Sequence, residues 1–447
     1  MSIALTILDS EEKALNHINK ITARISDHDL STDNPKGDQL NLHKIVADIL
    51  SRVRTDGDSA VSDILAEIDK VTINESSLIV RQAEFDDAKK ALDPEIEAAL
   101  QLMAQRIEKY AKQMMPPAVE WFKEEEGREL GYRFTPIENV GAYVPGGLGG
   151  STPLVSSVLM NLIPAKVAGV QNIVVATPCN AEAKIHPALL RACEIAGVST
   201  VYKAGGAQGV AAMAYGTQSC PKCVKVIGPG NAFVQEAKRQ LFGLIDIDMM
   251  AGPSEIAILA DKTASPEVLA ADMLAQAEHD PLASSVLISD DRNVLEATIE
   301  ELETALACLP KKDIAAHSIE KFGAVLHCDS IEQGCEWVNE LGPEHLELIL
   351  EDSELALGKI KHAGAIFIGP YTPEVVGDYT AGPSHTLPTC GAAKFSSGIN
   401  VYTFLKSSSL LKYSKSAMKN DLSALTAMAR TENLEGHARS AESRFKD

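Results

Sequence analysis

From Val140 onward the chain alternates short apolar runs with helical patterns, and this alternation restricts its fold more than any other feature. Ile173-Val174-Val175-Ala176, Thr200-Val201-Tyr202, Val224-Lys225-Val226-Ile227, Ile256-Ala257-Ile258-Leu259 and Val286-Leu287-Ile288 are each bounded by Gly, Pro or Asp. Helical patterns at residues 187–196 and 231–241 lie between them. Strands apolar on both faces need helices over both faces, so the pattern predicts parallel sheets with covering helices. Upstream, Ile45, Val46, Ile49, Leu50 and Val53, then Ile96, Leu100, Met103 and Ile107, fall at helical spacing and predict amphipathic helices to about residue 113. Residues 1–38 read as an N-terminal arm ending in the breaker Asn34-Pro35-Lys36-Gly37-Asp38. Residues 121–138 read as short strands. After about residue 400 a Ser/Lys-rich segment leads to a helical tail, 421–430 and then 432–444.

With 447 residues, 45% of them hydrophobic, the chain can bury a large core divided into two to four units. Its 62 acidic against 41 basic residues give a net charge of −21, which disfavours a nucleic-acid or anionic-membrane partner and favours a small ligand. The uncharged run 139–165 carries five Gly and three Pro, unlike a spanning helix. Asp9, Glu11 and Glu12 are unlike a signal peptide, and eight scattered Cys fit a reducing compartment, so a cytoplasmic protein is expected. Cys220-Pro221-Lys222-Cys223 lacks a second Cys or His pair nearby and reads as two small thiols at a loop or strand edge rather than a zinc site.

Glycines cluster where strands give way to helices: Tyr143-Val144-Pro145-Gly146-Gly147-Leu148-Gly149-Gly150, Gly205-Gly206-Ala207-Gln208-Gly209 and Gly228-Pro229-Gly230-Asn231. Such junctions let a backbone approach a ligand and offer a helix N-terminus to its phosphate. No G-x-G-x-x-G, Walker lysine, G-x-S-x-G or H-E-x-x-H motif occurs, so a dinucleotide site here departs from the usual fingerprint.

Two polar clusters stand in apolar surroundings. Gln276 and His279 are i, i+3 in the last turn of a predicted helix that starts with Ser265 as N-cap and Pro266 at its first position. Their side chains share one face, at a spacing that can grip a single cation. Glu344 and His345 are adjacent, so on an extended segment they diverge and can serve two proton transfers. Taken singly, His279 also reads as a dipole partner, and Glu344-His345, Asp378 and His385 as turn residues.

The segments Val140-Gly141-Ala142-Tyr143-Val144-Pro145-Gly146-Gly147, Gly205-Gly206-Ala207-Gln208, Gly228-Pro229-Gly230-Asn231, Ala251-Gly252-Pro253-Ser254-Glu255, Gln276-Ala277-Glu278-His279, Pro343-Glu344-His345-Leu346, Gly377-Asp378-Tyr379, His385-Thr386-Leu387-Pro388-Thr389 and Glu432-Asn433-Leu434-Glu435-Gly436-His437 resemble the histidinol dehydrogenase family, in order and at compatible spacing. The resemblance implies two Rossmann-like parallel-sheet domains, aldehyde-dehydrogenase-like and without G-x-G-x-x-G, plus the arm and the tail. Residues 39–139 and 256–395 would form the first α/β domain, 140–255 the NAD-binding domain, and 396–447 a tail domain reaching a partner subunit.

By the same resemblance, zinc would be held by Gln276, His279, Asp378 and His437. NAD would lie against Tyr143, Gln208 and Asn231. Substrate would meet Ser254, Gln276, His279, His345, Asp378, His385, Glu432 and His437, with Glu432 and His437 completing the site of the other subunit of a homodimer. The implied reaction is a four-electron oxidation of L-histidinol to L-histidine, using two NAD in succession. His345 would take the hydroxyl proton, and Glu344 would activate water for the aldehyde. Ser384, where the family has Asn, and Leu148-Gly149-Gly150, which reads as extra length, depart from the pattern. They keep open a paralogue acting on another polar alcohol. A non-catalytic zinc- or metabolite-binding homologue is opposed by intact Glu344, His345 and all four ligands.

Overall fold

A computed structural model describes residues 5–23, 35–123, 127–146 and 153–445, with only the backbone described for 35–40 and 123. Residues 1–4 and 24–34 of the expected arm, and the Leu148-Gly149-Gly150 extension, lie outside the described residues. The chain divides into a large unit, residues 1–114 with 138–403, and a small one, residues 115–137 with 404–447. Among the described residues no helix is long and apolar enough to cross a membrane.

The large unit holds two all-parallel sheets. The first has six strands in the order β1 (Ile7–Leu8), β11 (Ala324–His327), β10 (Ser284–Ser289), β9 (Glu255–Ala260), β12 (His345–Ile349) and β13 (Ala365–Ile368). Every residue of β9, β10 and β12 is buried. Helices Pro266–Ala277, Arg292–Leu306 and Lys312–Phe322 close one face through Leu269, Met273, Leu295, Leu302 and Ile319. Helices Glu11–Thr22 and Ile331–Leu341 close the other through Ile18, Ile21, Trp337 and Val338.

Residues 5–23 are therefore not an arm. Ser10 caps a helix with Glu11 and Glu12 in its first turn, where acidic groups favour the helix dipole. Ala14, Ile18 and Ile21 form a buried face four and three residues apart, and β1 extends the sheet edge. The breaker at Pro35 is likewise a start: helix Pro35–Asp56 begins there.

The second sheet has five strands in the order β6 (Thr200–Tyr202), β5 (Asn172–Ala176), β4 (Asn139–Tyr143), β7 (Lys225–Ile227) and β8 (Asp246–Ile247). Strand order reverses between β4 and β7, the place where open α/β sheets leave a crevice at the carboxyl ends of their strands. The helices of residues 35–114 belong with this sheet, not with the six-stranded one as the sequence partition had it. Helix Pro35–Asp56 packs on Gly206–Tyr215 and Ala232–Leu241, and Pro94–Met114 on Val155–Ala168. Charged pairs fasten them: Arg191 donates to both Glu97 oxygens (2.8 and 2.7 Å), and Lys203 to both Glu84 oxygens (3.0 and 2.7 Å). Helical spacing shows that a face is buried but not which sheet buries it.

In the small unit, β14 (Leu405–Tyr413), β3 (Arg128–Pro136) and β2 (Val119–Lys123) form an antiparallel sheet in that order. Helices Lys415–Thr431 and Glu435–Glu442 follow. The Ser/Lys-rich segment expected ahead of the helical tail forms the nine-residue strand β14, which the sequence reading did not assign. Its Ser-rich stretch is mostly exposed, so no alternation of apolar residues marked it.

Candidate active site

Strands β9 and β12 run side by side with His345 paired to Ile256, so Glu344 and His345 arrive next to Glu255. Glu255 anchors both. Its N–H donates to Glu344 Oε2 at 3.0 Å, and its carbonyl lies 3.0 Å from His345 Nδ1. A carbonyl only accepts, so Nδ1 carries the ring proton and Nε2 holds the lone pair. Nε2 is buried and has no hydrogen-bond partner among the described residues. The two side chains do not diverge as adjacency in a strand suggested: Glu344 Oε2 is 3.8 Å from His345 Nδ1. Burial lowers His345 to about 3, keeping the ring neutral. Burial also raises Glu344 well above the usual carboxyl range, helped by the nearby carboxylates of Glu255, Glu374 and Asp378.

Helix Pro266–Ala277 brings Gln276, wholly buried, to its last turn. The helix closes at Ala277 with Glu278 as C-cap, so His279 sits just beyond the last turn rather than in it, its N–H reaching Gln276 O at 3.3 Å. Helix Glu374–Tyr379 presents Glu374 and Asp378 four residues apart. One ligand atom each from His279, Glu374 and Asp378 lie within 4.8 Å of one another. The Gln276 amide, oriented by its hydrogen bonds, turns its nitrogen to Glu374 Oε1 (3.0 Å) and Oε2 (3.2 Å). Burial raises Asp378 to about 6 and Glu374 well above its usual range, so both carboxyls want a cation. An imidazole, an amide and carboxylates gathered in this way suit a divalent metal such as zinc. Glu374 escaped the sequence reading, although its spacing of four from Asp378 was a usable signal. Glu432 and His437 are carried by the small unit, at the end of Lys415–Thr431 and within Glu435–Glu442, and are not among the residues gathered here.

Beside this cluster a cavity of about 380 Å³ is lined by His345, Phe367, Ser384, His385 and Asn400 among others. The His385 Nε2 is buried and unpartnered among the described residues, and burial lowers the ring to about 4. Ser254 immediately precedes β9, its carbonyl accepting from Ser284 N at 3.0 Å. A second cavity of about 660 Å³ opens at the carboxyl ends of the five-stranded sheet, lined by Tyr143, Gly205, Gly206, Gln208 and Asn231. Gly206 N donates to the Tyr143 hydroxyl at 3.3 Å, and Asn231 caps helix Ala232–Leu241 through Val234 N at 3.2 Å. Gly228, at φ +106°, cannot be replaced: a Cβ there would lie 2.1 Å from the Tyr143 carbonyl oxygen.

The sequence model of the histidinol dehydrogenase family matches residues 32–445. Histidinol dehydrogenases of Halalkalibacterium halodurans and Bacillus subtilis are each 44% identical to the chain, covering 90% of it and 93% and 92% of themselves. The crystal structure of histidinol dehydrogenase from Elizabethkingia anophelis superposes with a TM-score of 0.91 at 33% identity, covering 99% of this chain and 98% of that one. The chain belongs to the histidinol dehydrogenase family.

Within that family, Ser384 fills a structural place: its side chain is buried and its Oγ accepts from Thr386 N at 3.2 Å, tying the turn that carries His385. Cys220 and Cys223 are buried, unpaired thiols, and burial pushes Cys223 up to about 12. Among the described residues His279, Glu374 and Asp378 form the group of His, Cys, Asp and Glu whose geometry could hold a metal ion, and the two cysteines are not in it.

Proposed function

We propose that this protein oxidises L-histidinol through L-histidinal to L-histidine with NAD, at a zinc site, and that Glu344 and His345 carry the proton chemistry. Zinc-dependent, NAD-linked oxidation of histidinol in histidine biosynthesis is the activity of the family. The observation that carries the residue assignment is the shared anchor on Glu255, which fixes the His345 tautomer and leaves Nε2 as a buried base.

Gln276, His279, Asp378 and His437 would hold zinc, which supplies charge and positioning for the substrate's nitrogens. Glu374 orients the Gln276 amide. NAD, bound against Tyr143, Gln208 and Asn231, supplies the hydride acceptor. His345 Nε2 takes the hydroxyl proton in the alcohol step, a transfer favoured by a neutral ring. Glu344, as its carboxylate, then takes a proton from the water that adds to the aldehyde. Ser254, His385 and Glu432 contact the substrate. Glu432 and His437 serve the site of a second copy, making a homodimer with shared sites. The eight cysteines form no disulfide with one another, which fits the reducing cytoplasm.

Purified protein given L-histidinol and NAD is expected to form two NADH per substrate consumed. A yield of one NADH, or turnover only of another polar alcohol, would replace this reading with that of a paralogue.

A further inference from the structure

The 660 Å³ cavity is served by a residue outside the glycine-rich turns, Asp69. Residues Leu65–Asp69 form one π-helical turn, closed by Lys70 in the left-handed conformation at φ 58°. That turn delivers the Asp69 carboxylate to the cavity wall, where Gln208 Nε2 donates to its Oδ2 at 3.0 Å. Gln208 is itself buried. The other oxygen, Oδ1, has no partner among the described residues.

Charge around this cavity is one-sided. Asp69 is the charged residue among the described lining residues, and no lysine or arginine is among them. The neighbouring cations are occupied: Lys70 Nζ donates to Glu67 O at 2.7 Å, and Lys203 is held by both Glu84 oxygens. Beside the polar Tyr143, Gln208 and Asn231, much of the wall is apolar, with Ile45, Ile49, Leu65, Ile68 and Phe233 offering a flat ring its stacking surface.

None of the residues lining this cavity lines the 380 Å³ cavity that contains His345. The half of a dinucleotide held here is therefore the half that does not react, the adenosine. A carboxylate beside an adenosine ribose accepts from its 2′-hydroxyl, and the same charge repels a 2′-phosphate, which meets no cation among the described lining residues.

We propose that Asp69, held by Gln208, accepts the adenosine 2′-hydroxyl and makes the enzyme select NAD over NADP. This rests on the NAD seat proposed above. The test is kcat and KM for NAD and for NADP in the wild type, Asp69→Asn and Asp69→Ala, with Asn231→Ala and Tyr143→Ala as probes of the seat itself. The Asp69 variants are expected to raise KM for NAD roughly tenfold, the scale of a lost hydrogen bond to a charged group. Their kcat should hold, and their NADP-to-NAD ratio of kcat/KM should rise about tenfold or more. In the wild type, ADP-ribose should inhibit competitively against NAD, and its 2′-phosphorylated form should inhibit at least tenfold more weakly. Raised NAD KM in the Asn231 and Tyr143 variants, with an unchanged cofactor ratio in both Asp69 variants or equal inhibition by the two nucleotides, overturns the Asp69 assignment alone. Unchanged NAD KM in the Asn231 and Tyr143 variants overturns the seat, and the assignment with it.

Discussion

Lys238 and Asp248 form a fully buried ion pair, Nζ to Oδ1 2.5 Å, and both hold the backbone of one residue, Gly228. Lys238 Nζ donates to the Gly228 carbonyl at 3.0 Å, and Asp248 Oδ2 accepts from Gly228 N at 2.8 Å. The pair thus clamps the strand-to-helix turn that leads to Asn231. Lys238→Met leaves Asp248 buried without its partner and is expected to destabilise the protein by about 3–5 kcal/mol. Denaturant melts check this. A loss below about 1 kcal/mol would show that the turn holds without the clamp.

The roles proposed for Glu344 and His345 should be separable by substrate. His345→Asn removes the Nε2 base and is expected to slow NADH formation from histidinol by ~10²–10⁴. Glu344→Gln keeps shape and its acceptor for Glu255 N, and should slow oxidation of supplied histidinal more than the first hydride transfer. Single-turnover NADH traces from each substrate decide. Equal losses on both substrates in both variants would mean the pair acts as one unit.

Metal retention tests the ligand set. His279→Ala and His437→Ala should purify folded with much less zinc than wild type, whereas Glu374→Gln, which loses charge but can still hydrogen-bond Gln276, should lose less. Elemental analysis measures each. Full occupancy in both histidine variants would remove those residues from the set.

Sharing of sites between subunits predicts complementation. Inactive His345→Ala protein mixed with inactive His437→Ala protein should regain activity after subunit exchange, because each mixed dimer carries one complete site. No recovery after confirmed exchange would assign His437 to its own chain's site.

The buried carboxyls make metal-free protein sensitive to alkali. Burial raises Asp378 to about 6 and Glu347 to about 8, and pushes Glu344 and Glu374 well up, while an unfolded chain releases such protons near about 4. The folded state therefore binds more protons above that value, and stability falls as pH rises from about 4 through the folded values. Thermal melts of chelator-treated protein should show midpoints dropping between pH 5 and 8. Added zinc, which binds the ionised carboxylates, should restore more stability at pH 8 than at pH 5. A midpoint rising with pH in the metal-free protein would contradict this.

Period and punctuation in the sequence determined the parallel α/β architecture, the strands β5, β6, β7, β9 and β10, the helix Pro187–Ala196 to the residue, and the glycine turns, because apolar runs and breakers act locally. The motifs also singled out Gln276, His279, Glu344, His345 and Asp378. Only tertiary structure decided what those residues face. Residues 5–23 supplied an edge strand and a covering helix to the six-stranded sheet, and the helices of 35–114 went to the five-stranded one, because an amphipathic stripe does not name its partner. The Glu255 backbone drew Glu344 and His345 together through the register of β9 with β12, a long-range pairing that leaves no mark in either segment. Glu374 joined His279 and Asp378, and Asp69 the wall of the 660 Å³ cavity, in the same way. Which carboxylates face one another is set by burial and packing between distant elements, and the energies that fix it are not encoded at any single position.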